Sequence, residues 1–230
     1  NMKKYIGFVV ISLTFCIACT RDYSNSPKAQ LKLINGSINA PKVELYGDGA
    51  LLTTDVAYPE VSNYMFLNPG KPNIKLTATD GPFPGLTIAN GSFTMDAYNN
   101  YSMIITDSLA KLKVSFVKDD IATAPDGKSS IRFFHLAQNT GTVNLYFNNI
   151  KIDSNRVFND QGNNANFVKF NNQNSATVNV DVRDSVGNTI TTLSNFDFQS
   201  TKIYTLVLKG SPLALPNTPQ SLGISVLRYN

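Results

Sequence analysis

His135 is the only histidine in a chain of 230 residues, which excludes a zinc site built on several imidazoles and a histidine pair relaying protons. A lone imidazole can still ligate or hydrogen-bond. The expected role is structural, bonding the loop that follows, because Asn35 stands at the matching place of an earlier repeat and can make similar bonds. No G-x-S-x-G, phosphate-cradling glycine loop or H-E-x-x-H occurs. A hydrolase using two carboxylates draws on residues far apart in a chain and stands as a rival reading, but no pair is singled out, so no catalytic residue is named. Asp119, Asp120 and Asp126 could offer oxygens to calcium, yet they lack the glycine-pivoted spacing of a calcium loop, so neither a metal site nor a cofactor is expected. Tyr46, Tyr58, Tyr64 and Phe83 could stack on sugar faces. With no Trp in the chain and most of these rings on alternating positions, core packing is the expected role. Asp107-Ser108-Leu109 and Asp184-Ser185-Val186 fit an Asp-Ser/Thr-apolar O-glycosylation acceptor of Bacteroidota, which makes Ser108 and Ser185 candidate acceptors in a host of that phylum.

Both cysteines, Cys16 and Cys19, fall in one N-terminal segment. Met2-Lys3-Lys4 is a short basic opening, and the apolar run from Ile6 to Ala18 is too short for a bilayer-spanning helix of about 20 residues. It reads as the apolar region of a signal peptide. Ala18 directly before Cys19 resembles the bacterial lipobox, with Cys16 where leucine is usual; in that motif the cysteine thiol takes a diacylglycerol before cleavage. Cys19 is therefore the expected lipid attachment site, and no cysteine is left to form a disulfide. The two or three acyl chains of a lipoprotein hold a protein stably to a membrane. Thr20, and not an Asp, follows the cysteine, so the expected place is the outer membrane, at the cell surface or on its periplasmic face. Arg21 to Lys28 is polar and Pro-punctuated and reads as a tether.

The remainder has a globular composition, with 42% hydrophobic, 10% aromatic and 16% charged residues, and uncharged Asn, Ser and Thr replace the missing charge. The formal charge of +4 includes Lys3 and Lys4. Without them eighteen basic residues face sixteen acidic ones, scattered and unclustered, which excludes a phosphate-binding footprint and a nucleic-acid partner.

One pattern organises the rest. Leu31 to Ala50 reads LKLINGSINAPKVELYGDGA, and Ile131 to Ile150 reads IRFFHLAQNTGTVNLYFNNI. Phe93, Met95, Tyr101, Met103 and Ile105 return as Phe196, Phe198, Tyr204, Leu206 and Leu208, and Leu112, Val114 and Phe116 as Leu222, Ile224 and Val226. The chain is an internal duplication. Short alternating runs with turns between them predict strands over 42–46, 50–53, 64–67, 74–78, 93–95, 101–105 and 112–117, with 83–88 a loop or short edge strand. Residues 155–166 and 210–220 absorb the extra length of the second copy and are expected to be loops. The expected division is 1–18 signal peptide, 19–28 tether, 29–120 first β-sandwich, 121–129 a solvated linker crossed by few contacts, and 130–230 second β-sandwich.

His135 and Ala137 followed by Val143 to Tyr146, with Asn35, Ala40-Pro41 and Val43 to Tyr46 in the first copy, resemble the opening of the domain-of-unknown-function family 4397. That family occurs in bacterial envelope proteins, often in tandem. The resemblance implies an all-β fold of two immunoglobulin-like or transthyretin-like sandwiches on the cell envelope, and it implies no activity. The expected function is a noncatalytic, lipid-anchored binding or assembly module that presents loops at a sandwich end. Its partners would be the membrane, through the N-terminal lipid, and an outer-membrane protein complex or a glycan. A glycan-capturing lipoprotein of a nutrient-uptake complex is the nearest alternative.

Overall fold

The computed structural model describes residues 26–82, 84–108 and 111–229, so the expectations for Cys19, the signal peptide and most of the tether lie outside the described residues. Eight strands form the first copy: β1 (Ala29–Asn35), β2 (Val43–Gly47), β3 (Ala50–Val56), β4 (Met65–Leu67), β5 (Asn73–Ala78), β6 (Thr87–Ser92), β7 (Asn100–Thr106) and β8 (Lys113–Asp119). Eight more follow in the second: β9 (Lys128–His135), β10 (Val143–Phe147), β11 (Ile150–Arg156), β12 (Asn171–Asn174), β13 (Thr177–Asp184), β14 (Thr189–Asp197), β15 (Ile203–Lys209) and β16 (Gly223–Tyr229). Sheet orders β4-β1-β7-β8 and β3-β2-β5-β6 in the first copy recur as β12-β9-β15-β16 and β11-β10-β13-β14 in the second. The protein is all-β, two sandwiches of one topology. In each, the opening strand runs parallel to the seventh, with Leu31 opposite Tyr101 and Ile131 opposite Tyr204.

Turn chemistry sets the register. Asp48 and Gly49 (φ 50° and 83°), and Asn148 and Asn149 (φ 45° and 70°), take the left-handed conformation that a two-residue hairpin needs for its twist to match the strands. Leu31, Leu33, Leu45, Leu76, Met103 and Ile105 fill the first sandwich. Phe133, Leu145, Val180, Val182, Leu206 and Leu208 fill the second.

Three expectations are corrected. Of the loop or short edge strand expected over 83–88, residues 84–86 are turn and loop and the edge strand itself lies at 87–92, because Asp80-Gly81 carries the chain through turns first. Phe93 and Met95 belong to no strand: Met95 exchanges backbone hydrogen bonds with Gly70 (2.8 and 2.9 Å) and Phe93 stacks on Phe116 at 4.5 Å, so both close the end of the core. Residues 155–166 are not a plain loop. They hold the 3-10 turns Asp160–Gly162 and Ala165–Val168, with Arg156, Asn159, Asp160 and Gln161 buried, because the Asp160 carboxylate takes two hydrogen bonds of 2.8 Å from Arg156.

The two sandwiches stack face to face. Along β1, Leu31 and Leu33 point into their own sandwich, while Ile34 joins Ile104, Val117, Phe134, Leu136 and Val207 in a third buried cluster drawn from both copies. The central strands β1, β7, β9 and β15 of the two facing sheets are thus covered on both faces, while the edge strand β12 stays mostly exposed, and the four sheets form four layers. The copies thus meet over a buried interface, while the connection between them is largely exposed, at Ala122, Thr123, Pro125, Asp126 and Gly127. Asp119 is buried, as is Ala124 within the connection itself. Copy-equivalent positions meet at the interface, as in a two-fold dimer. Gly36 has no side chain where its counterpart Leu136 packs, and a Cβ there would stand 2.7 Å from Leu136 Cδ1.

Removing Phe134, fully buried in the shared cluster, tests the coupling. Phe134→Ala is expected to cost about 3–4 kcal/mol, read as a lower urea midpoint. Wild-type protein is expected to unfold in one transition, and the variant to separate into two.

Candidate functional site

The parallel pairing of β1 with β7 and of β9 with β15 brings the loops after β1, β9 and β15 to one end of the stack. The loop between β15 and β16, lengthened in the second copy, is pinched at its base. Ser211 N–H donates to Gln220 O at 3.0 Å, and Gly210 (φ 89°) lies where any Cβ would collide with the Ser221 carbonyl. Ala214 N–H to Ser211 O (3.2 Å), Thr218 Oγ1 to Leu215 O (2.8 Å) and Lys209 Nζ to Pro219 O (3.0 Å) order it from within. Held this way, Leu213 is 80% and Leu215 76% exposed. They wall an open groove of ≈ 380 Å³ with Ile38 of the first copy and Gln138 and Asn139 of the second.

His135 and Asn35 occupy equivalent places in β9 and β1, opposite Leu208 and Ile105, and both are 0% exposed. His135 Nε2 lies 3.2 Å from Gly141 O and 3.1 Å from Thr140 Oγ1. A carbonyl only accepts, so Nε2 carries the proton. Burial lowers the imidazole's pKa, which favours this neutral form. Asn35 Nδ2 donates to Val56 O at 3.0 Å, and its Oδ1 accepts Ser37 N–H at 3.2 Å. Both side chains brace the loop after their strand, away from solvent.

Ser108 is half-buried beside Asp107, whose Oδ1 accepts its amide at 2.8 Å, whereas Ser185 is exposed in the turn between β13 and β14. The structure does not bring the two together. Among the described residues no three His, Cys, Asp or Glu side chains are grouped to hold a metal ion. The aromatic expectation is corrected as well. Tyr46 lies on the outer sheet face under Lys75 Nζ, 4.4 Å from its ring centroid, and donates to Glu44 Oε1 at 2.8 Å. Tyr58 is half-buried, and burial pushes its phenol up to about 12. Tyr64 sits at the junction of the sandwiches, and Phe83 lies outside the described residues.

That junction contains polar groups the sequence reading missed. Asp119 Oδ1 accepts Arg132 Nη2 at 2.6 Å across the copies, with both side chains fully buried. Asp119 Oδ2 accepts Tyr64 OH at 2.6 Å and Ser102 Oγ at 2.7 Å. Arg132 donates further to Thr205 Oγ1 at 2.7 Å and Tyr229 OH at 2.8 Å, and its guanidinium lies 4.4 Å from the Phe134 and Phe170 ring centroids. The members are copy-equivalent in pairs: Lys32 with Arg132, Ser102 with Thr205, Tyr64 with Phe170, Asp119 with Tyr229. Burial raises the Tyr64 and Tyr229 phenols above the ordinary tyrosine range, and Asp119 adds to this. Burial lowers Lys32 to about 8 against the attraction of Asp119, and Arg132 lowers it further. The signal was present in LKLIN and IRFFH, where a lone cation interrupts strands apolar on both faces.

Asp119→Asn leaves Arg132 buried without its counter-charge and is expected to cost about 3–5 kcal/mol in a denaturant titration. Lys32→Met is expected to act oppositely. Below pH about 8 the folded chain carries a desolvated ammonium; between about 8 and 10.5 the unfolded chain still binds the proton that the folded one has shed, so wild-type stability rises through that window. The variant is therefore expected to be more stable by about 1 kcal/mol near neutrality, after allowance for partial solvation, and to lose that advantage by pH about 10.5. Melting temperatures across pH check it.

A solved structure from Parabacteroides distasonis ATCC 8503, named provisionally for cell adhesion, is 10% identical and aligns over 89% of this chain and 100% of its own, with a TM-score of 0.22. A likeness at that level bears on neither fold nor function. No curated protein matches this chain. The sequence profile described as Domain of unknown function (DUF4397) matches residues 29–146, from the start of β1 to Tyr146 in β10. With just over half of its length matched, the chain belongs to the DUF4397 family.

Proposed function

We propose that this protein is a noncatalytic, lipid-anchored binding or assembly module of the bacterial outer envelope, tethered through Cys19 and engaging a protein partner with the loop end of its rigid two-sandwich body. One observation carries the reading: Leu213 and Leu215 stand 80% and 76% exposed on a loop that is internally hydrogen-bonded and closed at its base. Exposing two leucines on an ordered loop costs hydrophobic free energy that folding alone would recover by turning them inward. Ordering a contact loop in advance reduces what binding must spend on fixing it. An aliphatic pair beside Ile38 suits an apolar protein surface better than a sugar, which would call for an aromatic platform. The signal segment and Ala18-Cys19 support the anchor and the envelope address.

The test is affinity capture from native membranes with a C-terminal tag, comparing wild type with Leu213→Ser/Leu215→Ser. A near-stoichiometric envelope protein is expected with wild type and at least tenfold less of it with the variant, while the melting temperature stays within about 1 °C because neither leucine is buried. Equal recovery of the same partner by both forms would sink the loop-end assignment.

A further inference from the structure

Lys32 carries the surplus charge of the junction. It is only 8% exposed, with its ammonium 4.2 Å from the Tyr64 ring centroid and 4.3 Å from that of Tyr229. Ring faces attract a cation but give its N–H groups no acceptor. The neighbouring carboxylate is already committed, since Asp119 binds Arg132 with one oxygen and Tyr64 and Ser102 with the other. Among the described residues, Lys32 Nζ has no hydrogen-bond acceptor. Lys32, Arg132 and Asp119 thus leave one uncompensated positive charge, an arrangement a protein interior tolerates poorly unless a counter-ion is supplied.

The ammonium opens onto a cleft of ≈ 350 Å³ between the sandwiches, whose wall includes Gln30, Asn63, Asn100, Tyr64 and Tyr229 and, at the rim, Arg228. Among the described residues no acidic side chain lines it. We propose that this cleft binds a carboxylate-bearing ligand of about monosaccharide size, with Lys32 at its floor as the charge partner. Arg228 is exposed to water, so the buried excess is the single charge of Lys32, which a carboxylate cancels. A phosphate would favour the run of backbone amides or helix terminus that this cleft lacks. Arg228, whose Nη2 also donates to Gln199 Oε1 at 2.8 Å, adds a second cation to the wall, and the amides of Gln30, Asn63 and Asn100 supply bonds for the rest of the ligand.

The duplication provides a control. A twin cleft, also ≈ 350 Å³, lies at the equivalent place in the other copy and is lined by Lys118, Asp120, Ser130, Lys169, Phe170 and Asn172. There the position of Lys32 is held by Arg132, which is paired, and Asp120 stands in the wall. The lysines of the twin, Lys118 and Lys169, are exposed to water and stand beside Asp120, so the twin holds no buried unpaired ammonium and is expected to stay empty. This inference is independent of the loop-end reading.

The test is calorimetric titration of the full detergent-extracted chain at pH 6.5 with sodium glucuronate, N-acetylalanine, glucose and inorganic phosphate in turn. Saturable binding of a carboxylate at one site is expected, with glucose silent, a fall of about tenfold or more at pH 9.5 as the ammonium deprotonates, and a similar loss in Lys32→Met but not in Lys118→Met. Lys32→Met fills the site with an apolar chain, and its own melting curve verifies folding. Preference for glucuronate points to an acidic glycan, and preference for N-acetylalanine to a peptide C-terminus. The proposal is overturned by silence from both carboxylates, by binding that survives Lys32→Met, or by glucose or phosphate binding as tightly.

Discussion

Central strands that are covered on both faces impose the main constraint on this protein. Once β1, β7, β9 and β15 are covered on both sides, every second residue that would normally meet water must find a partner across the junction. Of those positions Ile34, Ile104, Phe134, Ile203 and Val207 are apolar, and the rest are polar. Among the polar ones Arg132 pairs with Asp119 of β8, and the pair gathers Tyr64, Ser102, Thr205 and Tyr229 around it, with Arg132 Nη1 left buried and, among the described residues, unpartnered. An ion pair in this position adds little net stability over an apolar packing of the same volume, but it punishes any displacement of one sandwich along the other, because a shift strands both charges. The relative placement of the two copies is therefore defined by side-chain chemistry as much as by the short connection between β8 and β9.

The same constraint shows how far the copies have diverged. Topology, strand order and the parallel pairing of opening and seventh strands are common to both. The inward-facing residues keep apolar character. Divergence concentrates where the copies touch and where loops are free: Lys against Arg, Asp against Tyr and Tyr against Phe in the junction, a longer loop after β15, and the 3-10 turns after β11. Asn159 of that insertion meets Ser115 of β8 at 3.3 Å, so extra length in the second copy serves the contact with the first.

Much of the fold was legible in the sequence because a half-buried strand records its faces in every second residue. Val178, Val180 and Val182, the offset pairs from Tyr101 with Tyr204 to Phe116 with Val226, and the turn at Asp48-Gly49 all carried that record. Tyr46 was misread because an alternating aromatic looks the same on either face, and only Lys75 beside it decides the outcome. The junction was harder to see. LKLIN, IRFFH and YTLVL read as strands of ordinary sandwiches unless their second face is also required to be buried, and Asp119 read only as a stray oxygen donor because its partner, Arg132, lies beyond the connection. Leu213 and Leu215 were hidden for another reason: exposure of an apolar side chain depends on how its loop closes, and Gly210, Ser211 and Gln220 reveal that only in three dimensions.

Gly36 and Leu136 give the interface a polarity that its approximate two-fold symmetry conceals. A leucine occupies one half of the contact and the space left by a missing side chain occupies the other. Two second copies brought together would set Leu136 against Leu136 and two guanidinium groups against two phenols, with no carboxylate between them. The surfaces thus distinguish a sister domain from a copy of themselves. Where many such chains meet, that mismatch keeps each pair of domains within its own polypeptide and disfavours exchange between neighbours.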